Sequence, residues 1–236
     1  MQRMSCDTTG MPPDPVNPRR RYESPRRRAQ AAATRREILL AAERLFAARG
    51  YTATTMAAIA SEAGVAPRTV YVAFTGKSGV LRALWHLRLR GDDEGTPMGE
   101  RPWYRALLAE PDARRRLDAM AAVSREVKER AGTLLEVIRS AAAADPDAAA
   151  LWGRIGTEFH GLLGGVAATF DEGGALAPGL DRATATDLLW TLTHPDVWQL
   201  LVVARGWTPR RYETWLAGAL RRELLGDPAG APVSSR

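Results

Sequence analysis

Apolar positions in the first third of the chain recur at helical spacing. Ile38, Ala42, Leu45 and Phe46 fall at i, i+4, i+7 and i+8, the stripe of an amphipathic helix. That stripe predicts a first helix over Ala31 to Arg49, stopped by Gly50. Met56, Ile59, Ala60 and Ala63 make a second apolar face, opened by Thr54 or Thr55 as a cap for the free N–H groups. Gly64 can take the left-handed backbone of a tight turn, and Pro67 suits the first position of a third helix. In that helix Val70 and Phe74 point inward, leaving Arg68, Thr69 and Tyr71 outside. Val80, Leu81, Leu84 and Trp85 form the face of a fourth, opened at Thr75 or Gly76. Two short helices joined by Ala63-Gly64-Val65 are the pattern of a helix-turn-helix, whose second helix can enter a DNA major groove.

The stretch from Gly91 to Gly99 is rich in Gly and Asp and reads as a loop and a domain boundary. Every later segment is helical in pattern. Helices are predicted over Pro102 to Ala109, over Pro111 to Ala131, and over Thr133 to Ala144 after a break at Gly132. Asp145-Pro146 starts the next, which runs to about Phe170 and stops at Gly173-Gly174. Another begins at Asp181 and is kinked or split by Pro195. The last runs from Thr208-Pro209 to about Leu225. No strand pattern or internal repeat is present, so the fold class is all-α. The division is a disordered basic arm (1–30), a helix-turn-helix domain including the fourth helix (31–90), a helical domain (91–225) and a flexible tail (226–236).

Charge sharpens this division. The net +6 of the 236-residue chain is the balance of +6 on residues 1–36, +4 on 37–90 and −4 on 91–236. The positive part therefore coincides with the helix-turn-helix, where cationic surface attracts phosphates and releases their counterions. Arg19–Arg21 and Arg26–Arg28 in the arm either follow DNA or simply solubilise the chain. Of the 33 basic residues 31 are arginine, which limits what any one arginine proves. No apolar run approaches the ~18 residues of a membrane span. The lone Cys6 rules out an internal disulfide and points to a reducing, cytoplasmic setting.

The series Arg36, Ile38-Leu39, Ala41-Ala42, Leu45-Phe46, Gly50-Tyr51, Thr54-Thr55, Ile59-Ala60, Ala63-Gly64-Val65, Thr69, Tyr71, Phe74, Lys77, Leu81 closely resembles the N-terminal domain of TetR-type transcription regulators. The segment from Gly206 to Leu216 resembles a C-terminal helix of actinobacterial-type members. The resemblance implies a homodimer whose second domains pair and enclose a ligand cavity, and ligand binding that changes the spacing of two DNA-reading heads. It implies phosphate contacts from Thr55, Tyr71 and Lys77, and base-reading positions at Arg68 and Thr69. The chain departs from the family at Ala57, Ala66, Val72 and Ala73, which replace residues that are often polar, capping or aromatic. The reading surface is thereby small and concentrated on Arg68, Thr69 and Tyr71, with much of the direct readout expected of Arg68, whose guanidinium suits a bidentate contact to guanine.

In the second domain, aromatic walls with a few polar groups suit a mostly apolar ligand. Arg139, Trp152, Phe159, His160, Trp190 and His194 are the candidate lining. The three histidines share no metal-ligand spacing, and neither a catalytic triad order nor a phosphate loop is present, so no metal, cofactor or enzymatic activity is expected. Leu188, Leu189, Leu192, Val197, Leu200 and Leu201 form one apolar surface, and Tyr212, Trp215, Leu216, Ala219 and Leu220 another. Paired with a symmetry mate they would build a four-helix bundle; otherwise they pack within one subunit. The expected function is a ligand-responsive regulator, a repressor, that binds a palindromic double-stranded operator as a homodimer and is released by a small, mostly apolar molecule. The alternative is an architectural or partner-controlled DNA-binding protein without such a ligand.

Overall fold

The computed structural model describes residues 25–90 and 98–225. Cys6, Arg19–Arg21, residues 91–97 and the tail from Gly226 lie outside the described residues. Among the described residues all regular structure is helical.

α1 spans Pro25–Ala53 and so begins six residues before the predicted Ala31. Arg26, Arg27 and Arg28 stand exposed on its first turns rather than in an arm. The stretch buries little, but it is built of alanine and arginine, both good helix formers, behind a proline suited to a first turn. Gly50 interrupts α1 with φ 76°. α2 (Met56–Glu62) is capped by Thr55, whose hydroxyl accepts from the Ala58 amide at 3.1 Å. Gly64, at φ 66°, turns the chain into α3 (Pro67–Ala73), and Ala66 gives that helix no side-chain cap. α4 follows over Lys77–Arg90.

After a short 3-10 turn at Met98–Glu100 come α5 (Pro102–Ala109), α6 (Ala113–Ala142), α7 (Pro146–Glu172) and α8 (Arg182–Leu192). α9 (Pro195–Trp198) continues into a π-helical segment, Gln199–Ala204, and α10 (Pro209–Leu225) closes the order. The predicted break at Gly132 does not occur. α6 runs through it for 30 residues, ~45 Å at the helical rise. A Cβ at Gly132 would lie 3.7 Å from the Trp198 indole nitrogen, so this glycine admits a ring against the helix instead of ending it.

Two hydrophobic cores result, and α6 passes through both. One joins Ile38, Phe46, Val70, Phe74 and Leu84 of the head to Leu134 and Ile138 of α6 and Leu151 of α7. The other joins Leu117 of α6 to Leu163, Phe170, Leu189, Tyr212 and Leu220. The head's core thus reaches well past the loop at 91–97. Tyr212, Leu216, Ala219 and Leu220, expected on a pairing surface, are buried inside the subunit, as is Leu189. Leu200 and Val203, 63% and 64% exposed on the π-helical segment, are the large apolar side chains that stay outside there.

Candidate DNA-binding interface and effector cavity

The helix-turn-helix presents one exposed face. Val70 and Phe74 anchor α3 in the core, which turns Arg68, Thr69, Tyr71 and Val72 to solvent. Tyr71 is 58% and Val72 80% exposed, unusual for an aromatic and an aliphatic residue in one turn of a helix. Arg35 of α1 completes the element: its guanidinium donates to the Ala73 carbonyl at 2.7 Å and lies 4.2 Å over the Phe74 ring. It therefore satisfies a carbonyl at the end of α3 where a cation is favoured. The pattern reading missed Arg35, since nothing in its spacing marks it among so many arginines.

Thr55 lies exposed at the start of α2, its hydroxyl oxygen engaged in the cap. Lys77 behaves differently. Its ammonium donates to the carbonyls of Tyr51 (2.8 Å), Thr54 (3.0 Å) and Thr52 (3.4 Å), and sits 4.2 Å over the Tyr51 ring. All three N–H groups are directed at backbone of the α1–α2 connection. The side chain closes the carbonyl-rich end of α1, and its positive charge lies beside the head.

Two hydrogen bonds tie this corner to the first turn of α7. The Tyr51 hydroxyl donates to Asp145, the residue that caps α7, and the Ser78 hydroxyl donates to Asp147 at 3.1 Å. Burial, then the Asp145 carboxylate, pushes the Tyr51 phenol well above its ordinary range. The same bond, with the Ala148 and Asp147 amides, holds Asp145 below the usual carboxylate range.

A cavity of about 110 Å³ opens where the two cores meet. Trp85 and Leu89 of α4 and Leu135 of α6 line it from the head side; Tyr104, Leu107 and Leu163 line it from the other. Of the residues expected there, Phe159 is part of the wall. The others are not. Arg139 is paired with Glu136 at 2.6 Å on the surface, and Trp152 packs beside the head's core. His160 is exposed, 3.0 Å from Asp187. Trp190 stacks on His194, with ring centroids 4.7 Å apart, and the His194 imidazole accepts from the Asp196 amide to cap α9. These residues do not face the space between α4, α5, α6 and α7, a matter of helix rotation that aromatic content does not reveal.

The cavity's ionisable wall residue with the deepest burial is Lys128, 6% exposed. It donates to Ser124 Oγ and to the Thr193 carbonyl, both at 2.8 Å. Burial alone drives its pKa down, to about 7. Its sequence signal was available: Leu117, Ala121, Ser124, Lys128, Ala131 and Leu135 form one buried stripe of α6, and Lys128 occupies a core position in it. It is also one of two lysines in the chain.

Among the described residues no group of three or more potential metal-binding side chains assembles. None of the described helices is long and apolar enough to cross a membrane.

Residues 38–84 match the model of the tetR family of bacterial regulatory proteins. No curated protein matches the chain. Among solved structures, NalD of Pseudomonas aeruginosa, the secondary repressor of the MexAB-OprM multidrug efflux pump, is 24% identical with a TM-score of 0.64, covering 84% of this chain and 99% of its own. SmeT, solved as a complex with triclosan, is 19% identical with a TM-score of 0.66, covering 83% and 93%. FadR of Bacillus subtilis, solved with stearoyl-CoA, is 17% identical with a TM-score of 0.60, covering 78% and 96%. At these identities the likeness establishes the fold. The family match thus covers the head, residues 38–84, and beyond it the likeness to these regulators is one of fold.

Proposed function

We propose that the protein is a repressor that binds a palindromic operator as a homodimer, in the cytoplasm, and is released by a small, mostly apolar effector. The observation that carries this reading is the path of α4. Its first residue, Lys77, closes the helix-turn-helix, and two to three turns later Trp85 and Leu89 form a wall of the cavity. A ligand that displaces that wall acts on the element the head is built on, which gives it a differential contact between two states. The architectural alternative leaves this cavity without a role.

In the proposed complex Arg68 and Thr69 read base edges, Tyr71 and Thr55 contact phosphates, and Val72 or Ala73 meets a thymine methyl. Lys77 contributes through its field and its hold on the α1–α2 connection. Leu200 and Val203 support pairing of two subunits through the π-helical face, in a smaller apolar area than the sequence pattern allowed. Two recognition helices in such a dimer would stand ~34–36 Å apart.

The test is a nuclease footprint on the DNA flanking the protein's own gene, repeated with a panel of small apolar compounds. The expected result is one protected palindrome, its half-sites one helical turn apart, lost on adding a compound. Protection that no cavity-filling compound alters would favour the architectural reading, and absence of any protected site would reject both.

A further inference from the structure

Lys128 is a buried cation without a buried anion. A lysine ammonium has three N–H groups. Two reach Ser124 Oγ and the Thr193 carbonyl; the third has no acceptor among the described residues, and the side chain borders the cavity. The charged and titratable groups around it do not neutralise it. Tyr212 of α10, with its ring 5.9 Å from the ammonium, is a phenol that burial pushes up to about 12, so it stays protonated. His194, at the start of α9, is held below its ordinary range by burial and adds no negative charge. Glu158 of α7, the carboxylate among the lining residues, is exposed and forms no ion pair with Lys128. Both neutral hydroxyls elsewhere in the wall are occupied: that of Tyr104 donates to the Leu162 carbonyl at 2.7 Å, and that of Thr193 to the Leu189 carbonyl at 2.6 Å.

An isolated charge in such surroundings is costly and is relieved either by neutralisation or by a counter-ion. We propose that the counter-ion is the ligand: a small monocarboxylic acid whose apolar body fills the cavity and whose carboxylate accepts from Lys128 Nζ. This rests on the effector-cavity reading above and names its chemistry. One cation with one open N–H fits a single negative charge, and the lining contains no arginine fork of the kind that suits a phosphate. The size fits a compact body, since an apolar cavity of ~150 Å³ is filled by one benzene ring. The Ser124 hydroxyl, beside the ammonium, is placed to donate to the second carboxylate oxygen. The bound acid keeps the ammonium protonated, so above neutral pH the complex takes up one proton from solvent as it forms.

The presence of only two lysines makes the test direct. In the full-length protein labelled with 13C at lysine Cε, the Lys128 pKa is followed by NMR with and without phenylacetate. Calorimetry compares phenylacetate, benzoate and hexanoate with their amides, and with toluene. The expected result is at least tenfold tighter binding of an acid than of its amide at pH 6.5. That preference should shrink as pH rises and be absent in Lys128→Met. The Lys128 pKa should rise by at least one unit on saturation. Equal affinity for acid and amide, or a Lys128 pKa unmoved by a saturating acid, overturns the proposal. If amides or toluene bind and acids do not, the acid assignment falls and the effector cavity stands; if none of these probes binds, both fall.

Discussion

The head and the second domain each hold one lysine, and the two are used in opposite ways. Both ammonium groups sit at the carbonyl end of a helix: Lys77 at the end of α1, Lys128 at the end of α8. At Lys77 three carbonyls and an aromatic ring surround the charge, and the site is complete within the fold. At Lys128 one carbonyl, one hydroxyl and the more distant Tyr212 ring do so, in deeper burial, and the site is left open on the side of a cavity. A saturated cation is a structural part, whereas an unsaturated one beside empty space is a receptor. In a chain with 31 arginines the compact, three-donor ammonium stands at these two places, where a planar fork would not converge on its acceptors.

The largest effect that separates the two sites is on the pH dependence of stability. An unfolded lysine titrates near 10.5 and buried Lys128 near 7. Below pH 7 both states are protonated and the whole cost of burying the charge is present. Between the two values the unfolded chain holds one proton more, so stability rises with pH through that window. Urea unfolding at pH 7 and pH 10 is expected to show a gain of up to about 4 kcal/mol from this group, absent in Lys128→Met. An unchanged pH slope in the variant would remove the contrast.

Lys77→Met is expected to cost ~2–3 kcal/mol at neutral pH, because charged hydrogen bonds are lost and carbonyls are left without donors. Lys77→Arg should recover only part of that cost. A cost below 0.5 kcal/mol for Lys77→Met would place the residue with ordinary surface lysines.

The head's reading surface comes next. Arg68→Ala is expected to weaken specific operator binding by ~1–3 kcal/mol while changing non-specific DNA binding much less. Equal losses on both, measured by titration at fixed salt, would make Arg68 a phosphate contact. The smallest effect concerns the seam between the regions. Tyr51→Phe removes the bond to Asp145 and should cost about 1 kcal/mol. It should also raise the Asp145 carboxylate pKa part of the way back, the Ala148 and Asp147 amides still holding it down, a change readable by NMR.

The head was legible in the sequence because its determinants are local. Gly50, Thr55, Gly64 and Pro67 punctuate the chain at the positions the structure uses, and Val70 and Phe74 face the core as their spacing requires. The start of α1 was misjudged because burial was given more weight than the helix propensity of an alanine- and arginine-rich segment. Gly132 was read by its backbone freedom, whereas its missing side chain is what matters against Trp198. The cavity was mostly illegible. Its walls come from α4, α5, α6, α7 and the α8–α9 junction, and which face each helix turns toward the others is settled by packing between residues distant in sequence. Trp190 and His194 were plausible as chemistry but are not among the residues lining this cavity. Lys128 was the one wall residue with a local signal, a charge standing in an apolar stripe.

The paired bonds at the corner of the head have a mechanical consequence. Tyr51 and Ser78 both reach the first turn of α7, through Asp145 and Asp147. Two anchor points on one turn define a line and no more. Sliding the head along α7 stretches both bonds at once, whereas turning it about that line stretches neither. Rotation about that line is opposed instead by the core that α1 and α4 share with α6 and α7, so the bonds and the core resist different displacements of the head.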